Sequence, residues 1–249
     1  MKYDVNINGL DIRADFSEET INSILIPLLK TLGKIHSEKN NRVIVMLAAP
    51  PGAGKSTLVS FLEHIAGDVI PDKKVQAIGM DGFHRRQEYL LSHNVTIDGR
   101  EVSMVGIKGA PITFELDKFL GKLEELKSNP VCKWPLYDRL LHNPVEDKIT
   151  VDGDIILLEG NYLLLDTDGW NDLSSFADYT ISLTADESLL RKRLIERRIA
   201  CGHPKEESAD FVDFSDMANV RLCLHHSKKA DLMLRVNDNG EAEREPPLL

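Results

Sequence analysis

The chain has 249 residues, 42% of them hydrophobic, and its 40 acidic and 30 basic side chains give a formal charge of -10. That length supports one sizeable core, while the acidic balance argues against nucleic acid as a partner, since gripping a phosphate backbone takes clustered Lys and Arg. No apolar run approaches the roughly 18 residues of a membrane span, and three cysteines without a C-x-x-C pair fit the cytoplasm better than an oxidised scaffold.

Val5-Asn6-Ile7-Asn8-Gly9-Leu10-Asp11-Ile12 alternates around an Asn-Gly pair, which predicts a small leading hairpin because both turn residues tolerate positive φ. Ser17, followed by Glu18 and Glu19, opens a helix whose apolar residues recur at 21, 24, 25, 28, 29, 32 and 35, with Pro27 as a point of kinking. This extension over 1–40 is suited to a homodimer contact.

From residue 43 short apolar runs at 43–48, 75–80, 155–159, 179–183 and 231–236 alternate with helical stretches near 55–66, 114–127, 186–200 and 216–227. That alternation predicts a three-layer α/β fold, a mainly five-stranded parallel sheet with helices on both faces, within a single domain over 1–249. Thr184 and Glu187 have capping-box spacing ahead of the third of these helices. Residues 85–112, with Gly99, Gly106 and Gly109 and no sustained period, read as a substrate-side insertion or lid, and Asp238–Leu249 as a loose polar tail.

Behind the first of these strands, Ala49-Pro50-Pro51-Gly52-Ala53-Gly54-Lys55-Ser56 follows the phosphate-loop pattern G-x-x-x-x-G-K-[ST], except that alanine takes the first glycine's place. Alanine is small, and a strand exit accepts negative φ. Pro50 and Pro51 have no amide hydrogen, so an anion is expected on the amides of Gly52, Ala53, Gly54, Lys55, Ser56 and Thr57 at a helix start. Lys55 is placed to reach the outer phosphates and Ser56 to take Mg²⁺. A dinucleotide loop fits poorly, because Thr57 stands where its third glycine belongs and Lys55 has no role there.

The run Val75–Met80 ends in Asp81-Gly82-Phe83-His84, and Asp154–Leu158 ends in Glu159-Gly160, so two carboxylates fall at the carboxyl ends of strands, where α/β sheets bind ligands. Asp81 suits the base that takes the proton from an acceptor hydroxyl, and Glu159 the metal or its water. Helix 186–200 carries Arg191, Lys192, Arg193, Arg197 and Arg198. Arg193 and Arg197, four apart, share a face that could lean over transferred phosphate, which makes 186–203 a candidate lid. Lys108 and Arg139, with Tyr137 and Trp134, are candidates for holding the acceptor, and no histidine spacing suggests zinc.

Taken in order, the phosphate loop, Met80-Asp-Gly-Phe-His84, Lys108-Gly-Ala-Pro111 with Phe114, Tyr137-Asp-Arg139, Leu158-Glu-Gly-Asn-Tyr162 and the arginine helix resemble the phosphoribulokinase/uridine kinase family over roughly residues 40–236. The likeness is greatest to the pantothenate-kinase-like branch with its fructose-transport-system kinases. The resemblance implies an ATP- and Mg²⁺-dependent kinase of small metabolites, Asp81 as base, Phe83 and His84 on the substrate side, and the Glu159 strand beside the phosphate-loop strand. It also sets Asn219 on the substrate side and residues 236–240 near adenine. Cys132-Lys133-Trp134 departs from the Tyr-Ser-His stretch of pantothenate kinases, which puts pantothenate itself in doubt. A nucleotide-dependent regulator without metabolite chemistry stays open as the alternative.

Overall fold

The computed structural model describes residues 1–7, 9–97, 99–138 and 141–245. Strands β1 (Lys2–Ile7) and β2 (Leu10–Asp15) form the leading hairpin, whose predicted turn residue Asn8 lies outside the described residues. Ser17 then caps helix α1 (Glu18–Thr20), its hydroxyl accepting from the Thr20 amide at 3.0 Å. The helix widens into a π turn over Ile21–Leu25 before continuing as α2 (Ile26–Lys39). Pro27 sits at that junction, where its missing N–H breaks the regular bonding. Asn40, left-handed at φ 53°, ends the helix.

The main sheet alternates as expected. β3 (Val43–Ala48) leads into α3 (Lys55–Val69), and β4 (Val75–Gly79) follows. The segment over 85–112 is more structured than its composition suggests, holding α4 (Gln87–Ser92) and the hairpin β5 (Asn94–Ile97) and β6 (Arg100–Ser103). After α5 (Leu116–Ser128) comes a third hairpin, one that the apolar runs did not reveal, β7 (Cys132–Asp138) and β8 (Asn143–Val151). Pro135 lies inside β7 at a register shift between Trp134 and Leu136, where a residue without N–H is tolerated.

The remaining elements are β9 (Ile155–Gly160), β10 (Tyr179–Ala185), α6 (Glu187–Ala200), α7 (Lys205–Phe211), α8 (Met217–His226), β11 (Leu232–Val236) and β12 (Ala242–Arg244). A π turn over Val212–Asp216 joins α7 to α8. Two expectations fail here. Thr184 lies within β10, and Asp186 takes the cap position of α6, so the capping box does not form. The supposed loose tail contains β12, which pairs antiparallel with β11 through Leu234–Arg244, Arg235–Glu243 and Val236–Ala242.

The six strands lie in the order β12-β11-β10-β3-β9-β4, five of them parallel. β3 and β9 are buried along their whole length, as central parallel strands covered on both faces require. Successive β3 residues feed opposite cores. Val43, Val45 and Leu47 join α2, α3 and α6 side chains, whereas Ile44, Met46 and Ala48 join Phe119, Trp134 and Tyr162. Among the described residues no helix is long and apolar enough to cross a membrane.

Candidate active site

The strand order β3-β9-β4 places Glu159 between the two loops that carry the other candidate groups. In register, Glu159 lies beside Leu47 of β3 on one side and Gly79 of β4 on the other. Two residues beyond Leu47 the phosphate loop begins, and two beyond Gly79 stands Asp81, in a 3-10 turn over Met80–Phe83.

Gly52 and Gly54 have φ of 84° and 95°, a left-handed conformation that side-chain-bearing residues resist. At Gly52 a Cβ would also come within 3.3 Å of the Leu190 carbonyl oxygen, because α6 packs against the loop. Ala49, buried at the strand exit, keeps negative φ and donates its amide to Gly160 O at 3.2 Å, which is why glycine is dispensable there. Helix α3 starts at Lys55, so the first-turn amides of Lys55, Ser56 and Thr57 have no partner within the helix. They open onto a cavity of about 770 Å³.

Within this loop Ser56 Oγ donates to Glu159 Oε1 at 2.8 Å, and Lys55 Nζ stands 4.0 Å from Glu159 Oε2. One hydroxyl and one carboxylate, both hard oxygen donors, fit Mg²⁺, which keeps most of its water when protein-bound. The described residues contain no set of three or more His, Cys, Asp or Glu arranged to hold a metal by themselves.

The four arginines of α6 divide by position. Arg191 pairs with Asp213 at 2.6 Å, and Arg198 lies 3.8 Å over the Phe211 ring. Arg193 and Arg197 instead line the phosphate-loop cavity. Arg193 Nη1 donates to Gly52 O at 3.5 Å, and burial lowers the pKa of its guanidinium from the ordinary arginine value while Glu196 opposes the shift.

Around Asp81 the chain brings distant segments together. Tyr162 donates its hydroxyl to Gly109 O at 2.5 Å, and burial holds its phenol far above the ordinary pKa, with Cys223, Asp216 and Asp81 adding to the shift. Asn219 Nδ2 approaches Gly109 from α8, within 3.5 Å of where a Cβ would stand. Asn219 also lines a second cavity, of about 510 Å³, between the β5–β6 hairpin, residues 107–110 and the start of α8. Ser215 lines the same cavity, and its buried Oγ has no hydrogen-bond partner among the described residues.

Other acceptor-side candidates fall in different places. Lys108 Nζ donates to Gln87 Oε1 at 2.6 Å and lies 5.0 Å over the Tyr137 ring, and burial lowers its pKa. His84 stacks on Phe114 at 3.9 Å and meets the edge of Tyr137 at 5.3 Å. Phe83 and Trp134 require correction as substrate-contacting groups: both are fully buried. Trp134 Nε1 is committed to Gly79 O at 2.8 Å, and the two rings pack edge to face, supporting the β4 turn from behind. Arg139 lies outside the described residues.

Residues 44–240 match the model of the Phosphoribulokinase / Uridine kinase family. The chain belongs to that family. This kinase is 36% identical over 241 residues to the uncharacterized protein YggC of Escherichia coli (strain K12), covering 96% of its own length and 98% of the relative's. It is 31% identical over 200 residues to a Schizosaccharomyces pombe protein provisionally named uridine kinase C227.14, covering 78% and 83%. A crystal structure from Silicibacter sp. TM1040, provisionally named a fructose transport system kinase, superposes with a TM-score of 0.75 at 28% identity, covering 84% of this chain and 98% of that one. The α/β fold and small-molecule kinase chemistry follow from this membership.

One contributor to the kinase's cavities was not singled out as such by sequence reasoning: the leading hairpin, read only as a dimer candidate, lines the phosphate-loop cavity. Its local sequence signals no ligand; only packing brings it to the cavity. Asn239 and Gly240, expected near adenine, do line the phosphate-loop cavity.

Proposed function

We infer that this kinase transfers the γ-phosphoryl group of ATP to a hydroxyl of a small metabolite, with Mg²⁺ as cofactor. The observation that carries this reading is the register of β3, β9 and β4, which sets the phosphate loop and Asp81 on either side of Glu159.

In this reading the amides of Gly52 through Thr57, the α3 start and Lys55 hold the triphosphate. Ser56 and Glu159 hold the metal, which when bound offsets phosphate charge. Arg193 and Arg197 lean from α6 to stabilise negative charge spreading over the transferred group. Asp81 accepts the proton of the attacking hydroxyl. The acceptor's hydroxyl lies at Asp81, whose charge reaches Tyr162, and the 510 Å³ cavity bordered by Asn219 receives the remainder of a small molecule. Residues 85–112 form its outer wall and 186–203 the lid, within one kinase domain over 1–249.

Apolar Ile97, Val102 and Ile107 line that cavity beside Arg100, Ser215 and Asn219. A sugar, a nucleoside and a pantothenate-like compound are the acceptor classes to test. Cys132-Lys133-Trp134 departs from the pantothenate-kinase pattern, but Trp134 is buried behind the β4 turn, so the acceptor panel rather than this stretch decides on pantothenate.

ADP release by the purified protein, measured against nucleosides, sugars and pantothenate, tests the reading. One acceptor class should stimulate turnover, and Asp81→Asn should lower it by about 10²–10⁴-fold with little change in nucleotide affinity. Nucleotide binding without acceptor-stimulated turnover across the panel would instead support a regulator, and unchanged turnover in Asp81→Asn would remove the base assignment.

A further inference from the structure

We propose that β2 of the leading hairpin is the base-side wall of the donor site, its free main-chain edge hydrogen-bonding the base of the bound nucleotide. This rests on reading the phosphate-loop cavity as the nucleotide site. Residues 1–43 lie outside the family match, so the family model assigns them nothing.

The cavity begins at the phosphate loop and runs past Arg193 and Arg197 to the β11–β12 turn, where Val236, Asn239 and Gly240 form one side. Residues 11–16 form the opposite side without interruption. Side chains along a strand alternate between faces, so an unbroken run of lining residues marks a strand that presents its edge.

The hairpin's bonding phase shows which groups occupy that edge. Phe16 donates its amide to Met1 O at 2.9 Å, and Met1 nitrogen donates back to Phe16 O, which makes this a hydrogen-bonded pair. Counting by twos through the register, Tyr3–Ala14, Val5–Ile12 and Ile7–Leu10 are the other hydrogen-bonded pairs. Asp11, Arg13 and Asp15 fall in the alternate pairs. Their N–H and C=O groups therefore point away from β1, along the free edge. Beyond the hairpin, no hydrogen bond to these main-chain groups is made among the described residues.

The side chains sort in the same way. Arg13 bonds Asp4 at 2.7 Å on the exposed outer face, so its contribution to the cavity is main-chain. Ile12 and Ala14 are half-buried on the inner face with Val5 and Tyr3. The wall is also fixed in place. Phe16 stacks on Phe61 of α3 at 3.9 Å and 8°, the Tyr3 hydroxyl meets Ser60 Oγ at 2.8 Å, and Thr20 Oγ1 donates to Ala242 O at 3.4 Å.

The occupant follows from continuity and chemistry. With the phosphates at the α3 start, the rest of a nucleotide extends along this same cavity, whose 770 Å³ lies within the range that nucleotide-sized ligands fill. A strand edge offers donor and acceptor side by side at each outward residue, the pattern that a base edge also carries, while Ile12 and Ala14 cover an aromatic face.

Hydrogen–deuterium exchange of the full chain with and without ADP and Mg²⁺ tests this without a mutation. Exchange at residues 11–15 should slow together with that at 52–57. In parallel, Ala14→Phe, which fills the wall, should weaken ADP binding in calorimetry by on the order of tenfold. Protection at 52–57 with none at 11–15, together with unchanged ADP affinity in Ala14→Phe, would overturn the proposal while leaving the nucleotide site intact. No ADP binding at all, in wild type as in Lys55→Ala, would overturn both.

Discussion

The Ser56 hydroxyl donates a 2.8 Å hydrogen bond to Glu159 Oε1 across 103 positions of sequence. Because β9 lies between β3 and β4, this bond ties the α3 start to the strand that separates the phosphate loop from Asp81. It gives two oxygen donors a common location before any ligand arrives.

Both donors should therefore set the magnesium requirement. Ser56→Ala and Glu159→Gln are each expected to raise the Mg²⁺ concentration for half-maximal ADP release by about 10–100-fold. Titrating Mg²⁺ at saturating ATP measures this, and an unaltered requirement in both variants would place the metal elsewhere.

Gly82 should be intolerant of any side chain. A Cβ there would lie 2.6 Å from the Pro135 carbonyl carbon and 3.0 Å from Leu136 N, backbone atoms of β7 that cannot rotate aside. Gly82→Ala is expected to cost about 1–3 kcal/mol, lowering the melting temperature by roughly 2–12 °C. At Gly67 in α3 no atom stands within 4 Å of a Cβ, so Gly67→Ala is expected to gain about 0.4–1 kcal/mol. Thermal melts of the two variants should move in opposite directions.

Asp216 gives a pH signature. Burial raises its pKa above the ordinary 3.8, against the opposing pull of Arg197 and Arg198. The unfolded chain ionises near 3.8, whereas the folded protein keeps the proton to higher pH, so between those points the folded state binds more protons. Stability from this group is thus full below 3.8 and is lost as pH rises through the folded pKa. Asp216→Asn should flatten that part of the melting-temperature profile and raise stability at neutral pH. A profile identical to wild type would show that this carboxyl does not titrate differently on folding.

Much of the scaffold was legible because local signals agreed with burial. Residues 43–48 and 155–158 are apolar throughout, as strands covered on both faces must be, and the phosphate loop announces itself through two glycines that need positive φ and a lysine at a helix start. The β7–β8 hairpin was not legible. Pro135 breaks the usual strand pattern, and the charged Glu146-Asp147-Lys148 of β8 faces solvent rather than a core. Trp134 illustrates the same limit at the site, because an aromatic near Tyr137 reads more readily as core than as pocket, and only its indole on Gly79 O assigns it a place.

The sequence by itself determined the α/β alternation, the phosphate loop, the strand-end carboxylates and the pair Arg193 and Arg197, since each depends on spacing within one element or one turn. Tertiary structure alone decided that Glu159 stands between the phosphate loop and Asp81, that Tyr162 and Asn219 meet at Gly109, and that β2 borders the phosphate-loop cavity. Those relationships join residues tens to hundreds of positions apart. Strand order and helix packing set them, through the burial of apolar faces across the whole chain, and no local window of sequence carries that information.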